Sequence, residues 1–373
     1  MKKGKIMGIV FSNANDSSIN ELTKSRSMSA IPFAGRYRLI DFMLSNMVST
    51  KIYEIGVVTR ENYYSLVEHL GAGKEWDLAR KNDGLHFITP YSNEDSGLYS
   101  GRMQGLGNAL SLIQDSNAEF VLVASCDRVF NSDFKDMVAS HIKTNADITL
   151  MHSKRSTDTL NMAYTSVVKF DADNRVTELT ISPKVQGEVN MYVNVAVMNK
   201  EFLEELIVDS LSKGLYDFER DVLQPNINNM KVYAYEHKGE LKAFNSLKQY
   251  YNANMALLDE REMTNLFNPL RPIYTKVNDS VPTRYGLDSK VSNSLIADGC
   301  VVEGEVENSI LFRDVRVMKG AKIKDSIIMQ NGVIGVKSTV QYTITDRDVE
   351  VGDYKTIGGT EEYPMYIPKN EKV

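Results

Sequence analysis

Residues 7–42 read MGIVFSNANDSSINELTKSRSMSAIPFAGRYRLIDF. The run 6–11 is short, apolar and rich in β-branched residues, and a turn cluster follows it, as expected for a buried first strand of a parallel sheet. A turn that cradles phosphate uses glycines, so that backbone N–H groups approach the anion, and a cation that offsets its charge. This turn is Ser12, Asn13, Ala14, Asn15, Asp16, Ser17 and Ser18. It has neither glycine nor cation. Asp16 places a negative charge where phosphate would sit, a repulsion of roughly 4 kcal/mol at a separation of about 4 Å and an effective dielectric near 20.

The chain has 373 residues, more than one core comfortably holds, so two domains are expected. A net charge of −6, with both signs interspersed, gives no basic field for nucleic acid or for an anionic membrane surface. Cys126 and Cys300 are far apart and no metal-type spacing occurs, which fits a reducing cytoplasm. The basic start at 1–5 leads into an apolar run that ends at Phe11, and no long apolar segment follows, so neither a signal peptide nor a membrane span is expected.

Working outward, 36–47 carries apolar residues at helical spacing, 55–59 is a buried-strand candidate, and 63–70 is helical. A short strand at 87–89 and a polar loop at 92–101 precede Gly105 and Gly107, which read as a turn leading into a helix. The stretch 120–124 (FVLVA) is the most convincing central strand, with Ser125, Cys126 and Asp127 at its C-terminal end, where open parallel sheets bind ligands. Strands at 147–152, 166–170, 192–198 and 232–235, with helices at 201–211 and 249–259, complete an α/β pattern with helices on both faces of the sheet.

The prolines of 268–272 read as a linker. Beyond it, aliphatics recur every six residues: Ile296 and Val302; Val317 and Ile323; Ile328, Ile334 and Val340; Val351 and Ile357. That period is the signature of a parallel β-helix, with Gly299, Gly304, Gly320, Gly332 and Gly352 suited to its corners. The phase breaks near 308–316 and 341–350.

The segments 31–42 (IPFAGRYRLIDF) with 44–46 (LSN), 76–78 (WDL), 216–218 (YDF) and 250–255 (YYNANM) together resemble the glucose-1-phosphate adenylyltransferase, or ADP-glucose pyrophosphorylase, family of bacterial glycogen synthesis. Within that family the chain is most similar to the non-catalytic type of subunit. The resemblance implies a doubly wound, nucleotidyltransferase-like (Rossmann-like) mixed sheet over 1–265, a linker over 266–290, and a C-terminal left-handed parallel β-helix over 291–373. It also implies a homodimer alone and a heterotetramer with a catalytic glucose-1-phosphate adenylyltransferase subunit.

Family chemistry joins ATP to glucose 1-phosphate with Mg²⁺ held by two aspartates, and such reactions depend on positioning and charge neutralisation. Carried over by position, the loop's glycines fall on Asn13, Ala14 and Asp16, its arginine on Ser18, and the following lysine on Met28. The first metal aspartate is matched by Asp127, the second by Ala243, and the sugar-phosphate lysine by Ser182, with Lys184 two residues on. No catalytic residue is therefore assigned. Losing one transition-state charge partner typically costs about 10²–10³ in rate, so activity alone is expected to be negligible.

A vestigial nucleotide or sugar pocket is implied at Gly105, Asn108, Asp127, Lys184, Asn194, Asp217 and Phe218, with Asp127 as a vestigial metal position. As a plain structural alternative, Asp127 caps the loop after its strand. Lys24, Arg26, Arg36 and Arg38 form a basic cluster that reads as a solvated or interface face, with an anionic effector as the alternative. The expectation is a subunit without a cofactor of its own, Mg²⁺ residing in the catalytic partner. A weakly active enzyme with rearranged ligands and a sugar-phosphate or nucleotide sensor remain as rivals.

Overall fold

The computed structural model describes residues 5–13, 16–90 and 98–373; Ala14 and Asn15 of the opening turn and 91–97 of the polar loop lie outside the described residues. Nine strands make the main sheet: β1 (Ile6–Phe11), β2 (Glu54–Val58), β3 (Gly84–Ile88), β4 (Phe120–Ser125), β5 (Ile148–Ser156), β6 (Ser166–Phe170), β7 (Val176–Ile181), β8 (Glu188–Asn199) and β9 (Val232–Glu236). Helices α1 (Leu39–Ser49), α2 (Arg102–Asn108), α3 (Lys135–Thr144), α4 (Lys200–Ser212) and α5 (Leu247–Met255) are the ones that matter for the site.

The opening strand is central. β1 runs parallel to β2 on one side and to β4 on the other, and β3 extends the β2 edge in the same sense. Beyond β4 the sheet becomes mixed: β8 is antiparallel to β4, β5 is antiparallel to β8, and β9 is parallel to β5. Residues along β1 alternate between two cores. Met7, Ile9 and Phe11 pack with Met103, Leu106, Leu203 and Ile207 of α2 and α4. Val10 packs on the other face with Phe42 and Met47 of α1, Met137 of α3 and Tyr250 of α5. This two-faced packing is why the strand reads as one unbroken apolar run.

α1 starts at Leu39, later than the expected 36, because Pro32–Phe33 and Tyr37–Arg38 pair as a small hairpin around Ala34 and Gly35, both with positive φ. The backbone N–H of Arg38 then donates to the Asp41 carboxylate at 2.9 Å, capping the helix.

The C-terminal part is a left-handed parallel β-helix of three five-stranded sheets. From Val306 onward the coils advance 17 residues, as Val306, Ile323, Val340 and Ile357 stack in register, whereas Val291 to Val306 spans 15. One side of each 17-residue coil is therefore a residue short of three hexads, and the breaks in phase fall at short corners, from Val302 through Val306 to Leu311 and from Val340 to Thr345. The short corner is turned by Asn308, Asp325 and Tyr342 in the left-handed conformation.

Glycine plays a smaller part at the corners than expected. Of the five singled out, Gly299 and Gly320 have positive φ. Gly304 is required for closeness instead, since a Cβ there would lie 2.3 Å from the Ala321 carbonyl oxygen. Parallel pairing begins at Arg284–Tyr285 against Val301–Val302, so the first coil starts inside the 266–290 interval.

The β-helix shares the main core: Ile310, Phe312, Ile327, Met329 and Ile344 belong to the same buried cluster as Phe42 and Tyr250. Polar ties reinforce the junction. Arg26 donates twice to Asp346, at 3.0 and 2.7 Å, with both side chains almost fully buried, and the Tyr366 hydroxyl donates to the same carboxylate. The Tyr251 hydroxyl donates to the carbonyl oxygen of Asp325 at 2.7 Å.

Candidate functional site

The turn after β1 is closed on itself. The Asp16 carboxylate accepts the Met28 backbone N–H at 3.0 Å and the Asn13 side-chain amide at 2.6 Å. The Met28 backbone donor is therefore occupied by an anion that is the chain's own. Burial pushes the Asp16 carboxyl up to about 6, against the two hydrogen bonds, which pull it down. The Met28 side chain, at the position of the family's lysine, is wholly buried in the main core, which also holds Phe33 and Phe130. The Ser18 hydroxyl is buried with no hydrogen-bond partner among the described residues.

The basic cluster divides. Arg26 is committed to Asp346, whereas Arg36 and Arg38 line an open cavity of about 700 Å³ between the two domains, together with Lys276, Arg313 and Arg347.

At the end of β4, Asp127 is fully buried, as is Cys126 before it. Lys242–Ala243 pairs antiparallel with Arg128–Val129, setting Ala243 opposite Arg128. The Arg128 guanidinium turns back onto its neighbour: Nη1 lies 2.6 Å from Asp127 Oδ2, 2.9 Å from the Asp127 carbonyl oxygen and 3.2 Å from Asn245 Oδ1. Asn194 Nδ2 donates to the same Oδ2 at 2.9 Å. Asp127 is thus half of a buried ion pair.

The Mg²⁺ of the family does not fit here. A hard cation needs several oxygens, usually one or two carboxylates plus waters and substrate phosphates. Oδ2 of the one carboxylate is held by a guanidinium, and Ala243 supplies no ligand. Among the described residues no group of three or more His, Cys, Asp or Glu is placed to hold a metal ion.

Beside this pair opens a cleft of about 660 Å³ lined by Asn194, Asp217, Ser182, Arg102, Glu219 and Arg220 among others. Arg102 Nη1 donates to Glu219 Oε1 at 2.6 Å and Nη2 to the Ser125 hydroxyl at 3.1 Å. Burial raises the Glu219 carboxyl against the pull of Arg102. Asp217 Oδ1 accepts the Arg220 backbone N–H at 2.8 Å, capping the π-helical segment Phe218–Leu223. Ser182 sits in the left-handed region and donates to the Ala163 carbonyl oxygen at 2.6 Å.

Of the residues expected at the pocket, Asn194 and Asp217 line the cleft, and Asp127 lies directly behind Asn194. Lys184 is exposed outside it, and Phe218 is packed into the second core. Gly105 is not in a turn. It lies inside α2, where a Cβ would come within 2.6 Å of the Phe11 ring, so its absence of side chain lets the helix seat on β1. Asn108 is the half-buried last residue of the same helix.

Sequence reading missed Arg128, Arg102 and Glu219. Arg128 was open to notice as a basic residue directly after the strand-ending aspartate. The Arg102–Glu219 pair spans 117 positions and leaves no local signal.

The sheet and the β-helix agree with what comparison with known proteins gives. Residues 15–262 match the nucleotidyl transferase family, and 279–364 match the GlmU-like C-terminal hexapeptide family. The glucose-1-phosphate adenylyltransferase of Clostridium perfringens (strain SM101 / Type A) is 32% identical over 343 residues, covering 89% of this chain and 86% of that one. The glycogen biosynthesis protein GlgD of Bacillus subtilis (strain 168) is 34% identical over 370 residues, covering 99% and 97%. The chain belongs to the glucose-1-phosphate adenylyltransferase family. A further family member, the glucose-1-phosphate adenylyltransferase of Acetivibrio thermocellus, is 29% identical over 374 residues. No helix among the described residues is long and apolar enough to cross a membrane.

Proposed function

We propose that this chain is a non-catalytic regulatory subunit of bacterial ADP-glucose pyrophosphorylase in glycogen biosynthesis, acting in the cytoplasm. In this reading it pairs with a catalytic glucose-1-phosphate adenylyltransferase subunit that makes ADP-glucose from ATP and glucose 1-phosphate. The observation that carries the reading is the buried Asp127–Arg128 pair opposite Ala243, set in an otherwise complete family scaffold. Altered charges at Ser18, Met28, Ser182 and Ala243 add to it. The chain then needs no cofactor, and Mg²⁺ belongs to the partner.

Coupling runs through the interface, so the chain shifts the partner's kcat or substrate affinity by changing populations of its conformers. Alone it forms a homodimer, and with the partner a heterotetramer. Mixing the purified chains is expected to give co-elution and a changed partner kcat or KM. Separate elution with unchanged kinetics would refute the proposal.

The open cleft beside Asn194 and Asp217 favours one second reading, a sensor of sugar phosphate. Calorimetry with glucose 1-phosphate separates the two: saturable heat supports the sensor, and none supports a purely structural role.

A further inference from the structure

We infer that the Arg128 guanidinium is a built-in counter-ion that takes the place of a divalent cation at Asp127, so that this pocket is held together without metal and does not admit one. A buried carboxylate needs a compensating charge, and here it comes from the next residue in the chain. Arg128 is 1% exposed and Asp127 is fully buried. Three oxygens converge on one guanidinium nitrogen: the Asp127 carboxylate, its own carbonyl and the Asn245 amide oxygen. They come from two segments, the end of β4 and the bend that follows the strand bearing Ala243, so the guanidinium ties those segments as a hard cation would.

The register explains why the arginine fits. Ala243 stands directly opposite Arg128 and presents only a methyl group. A carboxylate at 243 would return a second acidic side chain beside Asp127, the minimum set that Mg²⁺-type sites use with waters. A metal ion entering the present site would have to leave the buried guanidinium without its partner, which is strongly unfavourable. Occupancy by a tethered group, rather than mere loss of a ligand, is the content of this inference. It goes beyond the regulatory reading and does not depend on it, because that reading is judged on a partner's kinetics.

Mn²⁺ is the probe, followed by water-proton relaxation on the full chain, with thermal melts alongside. The native chain is expected to show no site removed by Asp127→Asn up to about 1 mM Mn²⁺. The double variant Arg128→Ala with Ala243→Asp is expected to bind Mn²⁺ at least tenfold more tightly than the native chain. Its Tm should rise by roughly 3 °C or more once Mn²⁺ exceeds Kd about a hundredfold. Arg128→Lys, which keeps the charge, should remain silent. Should the double variant fail to fold without metal, refolding in Mn²⁺ must recover it. Mn²⁺ binding by the native chain that Asp127→Asn abolishes would overturn the inference, as would a folded double variant that gains no site or an unfolded one that Mn²⁺ does not rescue.

Discussion

Replacing Asp16 by asparagine tests whether the opening turn has closed around its own anion. In the folded chain burial holds the carboxyl at about 6, against a usual value of 3.8. The folded state thus keeps a proton that the unfolded state has already released between about pH 4 and pH 6. Stability therefore falls as pH rises through that window, and the penalty is fully present above pH 6. At about 1.4 kcal/mol per pH unit, the displacement corresponds to roughly 3 kcal/mol. Asp16→Asn removes the charge and keeps an acceptor for the Met28 N–H, but it sets an amide against the Asn13 amide that now donates to Oδ2, a loss of about 1 kcal/mol. The variant should exceed the native chain by about 2 kcal/mol at pH 8, and the advantage should shrink to about 0.6 kcal/mol by pH 5. Urea unfolding at pH 8, 7, 6 and 5, followed by circular dichroism, measures the difference directly. A variant less stable at pH 8, or a difference that does not change with pH, would refute the reasoning.

Other perturbations probe the scaffold. Arg26→Met and Asp346→Asn each leave a buried charged or polar partner unmatched and should each cost about 3–5 kcal/mol in urea unfolding, the double variant costing less than their sum. Gly105→Ala forces a methyl against the Phe11 ring and should cost about 1–3 kcal/mol, read as a lowered Tm with no change in oligomeric state. Met28→Lys returns the family's cation to a position that is now core, so a sharply lowered Tm is expected in place of any gain in turnover, with circular dichroism and a pyrophosphate-release assay run on the same sample.

Much of the architecture was legible because it rests on periodicity. β1 and β4 are apolar runs buried on both faces, and the hexad of the β-helix repeats over several coils. The 17-residue coil was harder to see, because the missing residue sits at corners turned by Asn308, Asp325 and Tyr342, whose identities do not announce a left-handed backbone as glycine does. The start of α1 was misplaced because a two-strand hairpin consumes Tyr37 and Arg38.

At the site, sequence position located what had changed, and the structure gave what took its place. That Ala243 lacks a carboxylate is plain from the residue; that Arg128 fills the space depends on the register of two distant segments. Gly105 read as a turn because glycine before a helix usually is one, yet the requirement comes from Phe11, 94 positions earlier and on another element. Lys184 seemed near Ser182 in sequence, but the chain after β7 carries it outside the cleft.

The account's central claim is that the scaffold serves a catalytic partner and performs no chemistry itself. Pyrophosphate release from ATP, glucose 1-phosphate and Mg²⁺ should be measured for this chain alone, for its catalytic partner alone, and for the two together. The expected result is background release from this chain and a mixture whose kcat or substrate affinity differs from that of the partner alone. Turnover by this chain alone that Asp127→Ala removes, with a mixture that merely adds the two separate rates, would contradict it.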